Sequence, residues 1–162
     1  MTRDPRVVLP APILRALLAH AARALPDECC GLLIGSREVD TTTAPRLRPH
    51  REIRVESSAP ARNLRRSPTR YLIDPADHFA AIRTARKRGR DVVGAYHSHP
   101  SGPPDASATD DRDASDAEFL YVIVSPATGA VKAFWPSAGR LRELTLRVPA
   151  DADRDDPTRP ES

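Results

Sequence analysis

The apolar residues in the first third of the chain change from a strand-like to a helix-like pattern and back again. Val7-Val8-Leu9 predicts a short strand. From Ile13 the apolar residues follow a helical stripe that ends at Pro26, which is typical of an amphipathic helix packed on a core. The apolar run from Gly31 to Gly35 is too short for a helix and predicts a buried strand.

The remainder of the chain predicts a second helix and several more strands. Asp74-Pro75 is a helix start, with a carboxylate at the N-cap and proline in the first turn, and this helix should run to about Arg88 and stop at Gly89. A short helix can start near Ser107, after a loop rich in proline and glycine. Strands are predicted around residues 53–55 and at 91–96, 119–124, 130–135 and 141–148.

Residues 40–70 form an otherwise irregular, arginine-rich segment. Eight arginines face three acids here, a net charge of +5. A solvated loop is one interpretation, and a docking surface for an acidic partner is the other.

Length and composition exclude several classes of protein. A chain of 162 residues is expected to hold one domain, which we place at residues 1–149. The net charge is only +3, and acids are interspersed with the basic residues, so nucleic-acid binding is not indicated. Adjacent Cys29 and Cys30 cannot build a disulfide framework. Charged residues and prolines interrupt Val7–Leu25, which excludes a signal peptide or membrane span, so we expect a soluble cytoplasmic protein.

Two histidines at the end of the 91–96 strand are the first sign of chemistry. Strand side chains alternate, so His97 and His99 project to one face, roughly 6–7 Å apart along the backbone, and can bind one metal ion. A carboxylate such as Asp110, eleven positions after His99, would complete a three-ligand zinc set that leaves one position for water. Spacing alone leaves other acids open: Asp105, Asp111, Asp113 and Asp116.

Catalysis at such a metal also needs a carboxylate that does not bind it. Glu28, in the turn before the strand that begins at Gly31, is the candidate general base. Ser107, three residues before Asp110, could stabilise an oxyanion. The Ser-x-x-Asp spacing also resembles a capping box, so the hydroxyl could instead cap the helix.

Together these segments resemble the JAMM, or MPN-plus, zinc metallopeptidases. The resemblance rests on Glu28-Cys-Cys-Gly-Leu-Leu-Ile-Gly, on Gly94-Ala-Tyr-His-Ser-His-Pro-Ser-Gly, and on Ser107-Ala-Thr-Asp110. It extends from about Val7 to Val148 and includes Asn63 and the lead-in to the second helix. One departure is Ala106, where the family usually has proline.

The resemblance implies an α/β fold with a mixed, curved β-sheet flanked by helices, similar in layout to cytidine deaminases. It implies zinc held by His97, His99 and Asp110, with Glu28 as general acid/base and Ser107 as oxyanion partner. Family members cleave the amide bond after the C-terminal glycine of ubiquitin or ubiquitin-like proteins. Short bacterial members act on sulfur-carrier proteins, in some cases releasing cysteine, and the 40–70 segment would then dock such a carrier.

Three other functions fit the sequence less well. A non-catalytic MPN scaffold is the main alternative, but members of that class lack the metal ligands that this chain retains. DNA-repair-associated relatives carry a helix-hairpin-helix region, for which this chain has no room. A zinc deaminase requires a Pro-Cys-x-x-Cys pair that the sequence lacks.

The last residues generate a first prediction. Residues 151–162 contain five acids, two arginines and no large apolar side chain, so we expect residues 150–162 to form a disordered acidic tail. Deleting residues 151–162 should leave the melting temperature and the metal content unchanged, because no apolar burial is lost. Thermal unfolding of the truncated protein tests this, and a drop of several degrees would show that the tail docks.

Overall fold

The computed structural model describes residues 4–39, 41 and 50–150. Three helices, α1 to α3, span Ala11–Ala24, Pro75–Lys87 and Ala108–Asp113. Eight strands, β1 to β8, span Arg6–Val8, Cys30–Val39, His50–Ala61, Asp91–Ser98, Leu120–Val124, Val131–Ser137, Arg140–Glu143 and Leu146–Arg147.

All eight strands belong to one mixed sheet with the order β7-β6-β5-β4-β2-β3-β1-β8. β4 lies near its centre, antiparallel to β2 and parallel to β5. β1 runs parallel to both of its neighbours, β3 and β8. The parallel pair β4 and β5 is joined by a crossover that contains α3, whereas β2 and β3 form a long antiparallel pair.

The two ends of the sheet come together at the junction between β7 and β8. These strands stand at opposite ends of the strand order, yet only Leu144 and Thr145 separate them in the chain. The Leu144 N–H donates to the Ala133 carbonyl of β6, and the Thr145 carbonyl accepts from the Val7 N–H of β1. The sheet must therefore curl, which confirms the predicted mixed, curved sheet with flanking helices.

The prediction of a single strand at 141–148 was wrong for this reason. Leu144 turns into the core, with only 5% of its surface exposed, and the chain changes its pairing partner there. β2 and β3 are also longer than expected, because they pair with each other well beyond their apolar residues. Residues 1–3, 40, 42–49 and 151–162 lie outside the described residues, and they include two arginines of the 40–70 segment and all of the predicted tail except Ala150.

Helices α1 and α2 cover opposite faces of the sheet. Leu33 packs in one core cluster with Leu17 and Ala21 of α1. Its neighbours Leu32 and Ile34 point the other way and pack with α2. The central strands are consequently buried on both faces, which holds their ends in place.

A glycine in the central strand provides a stability prediction. A Cβ at Gly94 would overlap the Leu120 carbonyl of β5. We expect Gly94→Ala to lower the free energy of unfolding by about 1–3 kcal/mol, because backbone atoms cannot yield as side chains do. The control is Gly102→Ala, since a Cβ there meets nothing within 4 Å. Thermal unfolding of both variants checks the prediction, and equal melting temperatures would contradict it.

Candidate metal centre

The register between β2 and β4 brings Glu28 to the two histidines. Cys30 pairs with His97, and the ladder continues as the Ser98 N–H donates to the Cys29 carbonyl over 3.2 Å. Because the two strands run antiparallel, continuing the same register by two residues places Glu28 opposite His99. Side chains alternate along both strands, so Glu28, His97 and His99 share one face.

Four polar side chains converge at this face. Nε2 of His97 is 3.3 Å from Nε2 of His99, and these nitrogens lie 3.0 and 3.2 Å from the two carboxylate oxygens of Asp110. Donor atoms of Glu28, His97 and His99 all lie within 4.8 Å of one another, close enough to hold a metal ion. Glu28, His97 and Asp110 are buried, with at most 9% of their surface exposed.

The loop after β4 sets the orientation of the His99 ring. Nδ1 of His99 is 3.0 Å from the Pro103 carbonyl, which can only accept, so Nδ1 carries the proton. In the neutral ring, Nε2 is then an unprotonated lone pair directed at His97 and Asp110. A lone pair facing a carboxylate requires a cation between the two: a proton in metal-free protein, through which His99 hydrogen-bonds to Asp110, or a metal ion in its place. A carbonyl bonded to the far nitrogen is typical of metal-binding histidines.

Helix α3 positions the Asp110 carboxylate. Ser107 is the N-cap: its hydroxyl accepts from the Asp110 N–H over 3.1 Å, and its own N–H donates to the Asp110 carboxylate over 2.8 Å. This reciprocal pair is a capping box, so the capping interpretation of Ser107 is confirmed. The serine is exposed, and its O–H donates to no other described residue. The hydroxyl proton therefore stays available for a ligand.

Burial and mutual contacts shift the pKa values of these groups in different directions. Burial would raise the pKa of Asp110, but hydrogen bonds from His97 and His99 outweigh it and hold that pKa well below its ordinary range. Burial lowers the pKa of His97. For His99, the contacts with Asp110 and Pro103 outweigh burial, and its pKa is raised. The Asp110 carboxylate is thus charged, and His97 is neutral, as metal ligands must be.

Glu28 differs from Asp110, although both are buried carboxylates. Burial raises the pKa of Glu28 from 4.5 to about 7; the neighbouring His99 opposes this shift and Asp110 adds to it. A carboxyl group with a pKa near neutrality can both accept and donate a proton under ordinary conditions. Two buried acids in one site therefore have distinct chemical properties.

Three supporting residues were not singled out by the sequence. Ser98 Oγ accepts from the Cys29 N–H over 2.8 Å, which ties the Glu28 turn to β4. The Tyr71 ring stacks on His97 with centroids 4.4 Å apart. Asn63 Nδ2 donates to the Glu28 carbonyl over 3.1 Å. The resemblance includes Asn63, and it includes Tyr71 as part of the lead-in to the second helix, but nothing in their spacing indicates which long-range partner they contact.

Two further residues lie beside the centre or the loop that leads to it. Cys30 and its neighbour Cys29 are both free and buried, as expected of cysteines that build no disulfide framework. Burial raises the pKa of Cys29 to about 11 and that of Cys30 to about 12, so neither forms a thiolate readily. Ala106, the departure from the family pattern, packs against the cluster of Tyr121, Ile123 and Phe134, which anchors the loop before Ser107.

Comparison with known proteins identifies the family to which this site belongs. Residues 10–137 match the model for prokaryotic homologs of the JAB domain. The chain belongs to the prokaryotic JAB family. It is 32% identical to the desampylase of Haloferax volcanii over 148 residues, which covers 88% of this chain and 96% of that protein. It is 34% identical to the CysO-cysteine peptidase of Mycobacterium tuberculosis, covering 74% of this chain and 73% of the relative.

A solved structure confirms the fold of this JAB-family chain. The solution structure of a protein from Desulfitobacterium hafniense superposes with a TM-score of 0.77 at 32% identity, covering 92% of this chain and 97% of that one. The predicted membership among the JAMM-type enzymes and the predicted hydrolase class are confirmed, because the relatives are named as peptidases or desampylases. In the part of the chain that the structure describes, no helix has the length and apolar character needed to cross a membrane.

The JAB family implies a metal site, and the donor geometry fits one. Two ligands at roughly 2.0–2.1 Å from one tetrahedral ion are about 3.3–3.4 Å apart. The separations of 3.0, 3.2 and 3.3 Å among His97, His99 and Asp110 are close to that value. Two imidazoles and one carboxylate are also a donor set that suits zinc and leaves a position open.

The raised pKa of Glu28 predicts a pH-dependent stability difference in protein stripped of metal with a chelator. Between about pH 4.5 and about pH 7, folded protein keeps on Glu28 a proton that the unfolded chain releases. Unfolding therefore becomes easier as the pH rises through this range, and Glu28→Gln removes the effect. We expect the variant to melt close to wild type near pH 4.5 and above it beyond pH 7.

Thermal unfolding across this pH range, with chelator present, measures the difference. Glu38→Gln is the control, because Glu38 is an exposed glutamate on β2, the strand that follows Glu28. A difference between wild type and Glu28→Gln that stays constant from pH 4.5 to pH 8 would contradict the raised pKa.

Proposed function

We propose that this chain is a zinc-dependent metallopeptidase that hydrolyses the amide bond after the C-terminal diglycine of a ubiquitin-like or sulfur-carrier protein. The observation that carries the proposal is the convergence of His97, His99, Asp110 and Glu28, from three segments of the chain, on one buried point. Relatives named desampylase and CysO-cysteine peptidase support the substrate class. A non-catalytic scaffold would not require this set of two histidines and two acids.

The distances between donor atoms indicate which residues would be the zinc ligands. His97, His99 and Asp110 would hold the zinc ion, because their donor atoms are 3.0–3.3 Å apart. Glu28 lies in a looser grouping, within 4.8 Å of the histidines, and its raised pKa suits a proton carrier better than a ligand. When bound, zinc supplies a Lewis acid that lowers the pKa of water to about 7 and polarises a carbonyl.

The chain's own residues then have separate tasks. Glu28 accepts a proton from the attacking water and delivers it to the nitrogen of the leaving amine. The Ser107 hydroxyl, which only accepts within the capping box, donates to the oxygen of the scissile carbonyl as negative charge develops there. Pro103 holds the His99 ring, and Tyr71 covers His97 from one side, which excludes water from that face.

A cavity of about 550 Å³ beside Tyr71, the residue that stacks on His97, is the proposed place for the carrier's C-terminal tail. It is lined by Tyr71, by Leu72, and by Arg112, two residues after Asp110. Leu72 is 47% exposed, so the cavity offers both apolar and cationic contacts. An extended tail bound here would present its terminal glycine to the centre.

The arginine-rich 40–70 segment remains the proposed docking surface for the body of an acidic carrier, with one change. Arg62 is engaged within the protein, because it pairs with Asp74 at 2.9 Å and Asp77 at 3.4 Å at the start of α2. Arg65 and Arg70 are exposed and line the tail cavity. The cytoplasmic location expected from the sequence stays a prediction.

The ligand assignment predicts which variants lose zinc. Purified wild type should hold about one zinc ion per chain, and His99→Ala and Asp110→Asn should each lose most of it, because a three-ligand set cannot spare one member. Inductively coupled plasma mass spectrometry measures the content. Zinc retained in Asp110→Asn but lost in Glu28→Gln would instead favour the set of Glu28, His97 and His99.

The role of Glu28 predicts a loss of turnover without a loss of metal. Glu28→Gln should keep its zinc and its fold, yet lose about 100-fold or more in turnover on a carrier conjugated through its terminal glycine. Product formation is measured by intact mass. Wild-type turnover in the variant would assign the proton transfer to another acid, and zinc-loaded wild type that cleaves no conjugate would favour the scaffold.

A further inference from the structure

A buried hydroxyl at the end of β5 holds the loop that follows β4. Ser125 comes directly after β5, and 0% of its surface is exposed. Its Oγ donates to the Gly102 carbonyl over 2.7 Å. Gly102 belongs to no helix or strand, so no ladder of backbone hydrogen bonds fixes the loop at this point. The bond from Ser125 therefore ties the loop to the sheet.

The backbone of Ser125 is fixed independently of this contact. Its N–H donates to the Ala130 carbonyl over 2.9 Å, and its own carbonyl accepts from the Gly129 N–H over 2.8 Å. Both bonds belong to the connection between the antiparallel strands β5 and β6. The sheet thus sets the position of the hydroxyl, and the hydroxyl sets the position of the Gly102 carbonyl, since a buried hydroxyl without a partner is costly.

Gly102 lies one residue before the carbonyl that orients the His99 ring. Nδ1 of His99 is 3.0 Å from the Pro103 carbonyl. Because the proline ring fixes φ of Pro103, only its ψ still directs this carbonyl once the planar Gly102–Pro103 peptide is held. Glycine by itself restricts the chain least of all residues, and a Cβ at Gly102 would meet nothing within 4 Å. Holding the Gly102 carbonyl therefore restricts the acceptor of the His99 ring.

The end of β5 also holds the backbone of His99. The His99 N–H donates to the carbonyl of Val124, the residue before Ser125, over 3.0 Å. His99 is therefore fixed twice by adjacent residues, at its amide directly and at its ring through the loop. Fixed in this way, the ring presents Nε2 to His97 and Asp110 in one orientation. An ion that binds an already oriented nitrogen does not have to order the ring, which favours binding.

We propose that Ser125 is a positioning residue of the metal centre: through Gly102 and Pro103 it fixes the orientation and the Nδ1 proton of the His99 ring, and thereby raises the affinity of the site for zinc. This inference rests on the proposed ligation of zinc by His99. The hydroxyl of Ser125 bonds to the loop, so its effect on the ligand passes through the loop backbone. Groups that orient a metal-binding histidine are worth about 10- to 100-fold in metal affinity.

Zinc affinity in three variants of Ser125 tests the proposal. Dissociation constants are measured on full-length protein by competition with a chromogenic zinc chelator. Ser125→Ala and Ser125→Val should bind zinc about tenfold more weakly than wild type, because the Gly102 carbonyl loses its donor. Ser125→Thr has the shape of the valine variant but keeps a hydroxyl, so it should bind zinc about as tightly as wild type.

Two results of this measurement would overturn the proposal. One is wild-type zinc affinity in both the alanine and the valine variant, which would show that the bond to Gly102 does not matter to the centre. The other is an equal loss in the threonine and valine variants together with wild-type affinity in the alanine variant, which would assign the effect to packing.

A second contact between the same loop and the same pair of strands provides a matched control. Lys132 of β6 lies 2.7 Å from the Asp105 carboxylate, but the two side chains are 37% and 59% exposed. Exposed ion pairs contribute little, since water and salt screen them, so Lys132→Met should keep the zinc affinity of wild type.

Leu17→Ala controls for lost stability. It removes a buried side chain of α1 and should lower the melting temperature without changing zinc affinity. A loss of zinc affinity in Leu17→Ala as large as that in Ser125→Ala would assign the effect to stability and overturn the proposal.

The His99 ring gives a spectroscopic readout that a merely structural role of Ser125 would not move. In zinc-loaded protein with isotope-labelled histidine, the Nδ1 proton held by Pro103 should exchange slowly with water. Saturation transfer from water measures this exchange by NMR. We expect it to be about tenfold faster in Ser125→Ala and Ser125→Val, because their loop no longer holds the protecting carbonyl, and to stay slow in Ser125→Thr. Wild-type exchange in Ser125→Ala would overturn the proposal.

The outcomes separate this inference from the proposed function. Wild type that binds no zinc overturns the ligand assignment, and the role of Ser125 with it. Wild type that binds zinc and loses it in His99→Ala, while Ser125→Ala changes neither zinc affinity nor proton exchange, overturns the role of Ser125 alone and leaves the proposed metallopeptidase intact.

Discussion

The antiparallel register of β2 against β4 is the constraint on which the site depends. Pairing of Cys30 with His97 places Glu28 opposite His99, and both strands are buried on two faces, so neither can slide. A shift by one residue would direct Glu28 to the opposite face of the sheet. Gly94 helps to set this arrangement, because β5 approaches β4 too closely there for any Cβ.

The charge balance of the centre follows from that geometry. Asp110 is brought against two imidazoles, which hold its carboxylate in the charged form, while Glu28 lies in the same buried space without such direct partners. Hydrogen bonds therefore separate two acids that burial alone would have shifted in the same direction. One acid is suited to bind a cation and the other to carry a proton, which is the division of labour that metal-assisted hydrolysis requires.

Two cavities of different size adjoin residues around the centre. The larger one, beside the Tyr71 ring that stacks on His97, combines apolar and cationic residues, and the smaller one is lined by Glu28, Asn63 and Arg66 among others. The 62–73 segment separates them and contributes arginines to both. Its Asn63 bonds to the backbone of Glu28, Arg70 and Leu72, so the arginines of this segment lie on a turn that is braced against Glu28.

Local patterns in the sequence determined most of the helices and strands and the candidate residues of the site. The alternation of strands and helices could be predicted from local patterns. A continuous apolar run such as Leu32-Leu33-Ile34 indicates a buried strand, and Asp74-Pro75 is a typical helix start. The family resemblance selected Asp110 among five acids, and Glu28 was singled out from its position before a buried strand. These inferences depend on short spacings, over which the chain has little freedom.

Tertiary structure decided what depends on contacts between distant segments. No spacing shows that Leu144 ends one strand and that Thr145 begins pairing at the other end of the sheet. The stacking of Tyr71 on His97, and the placement of Arg66 beside Glu28, likewise join residues 26 and 38 positions apart. Such contacts depend on the curl of the whole sheet, because the curvature decides which edge a strand can pair with. A local sequence pattern does not determine that curvature.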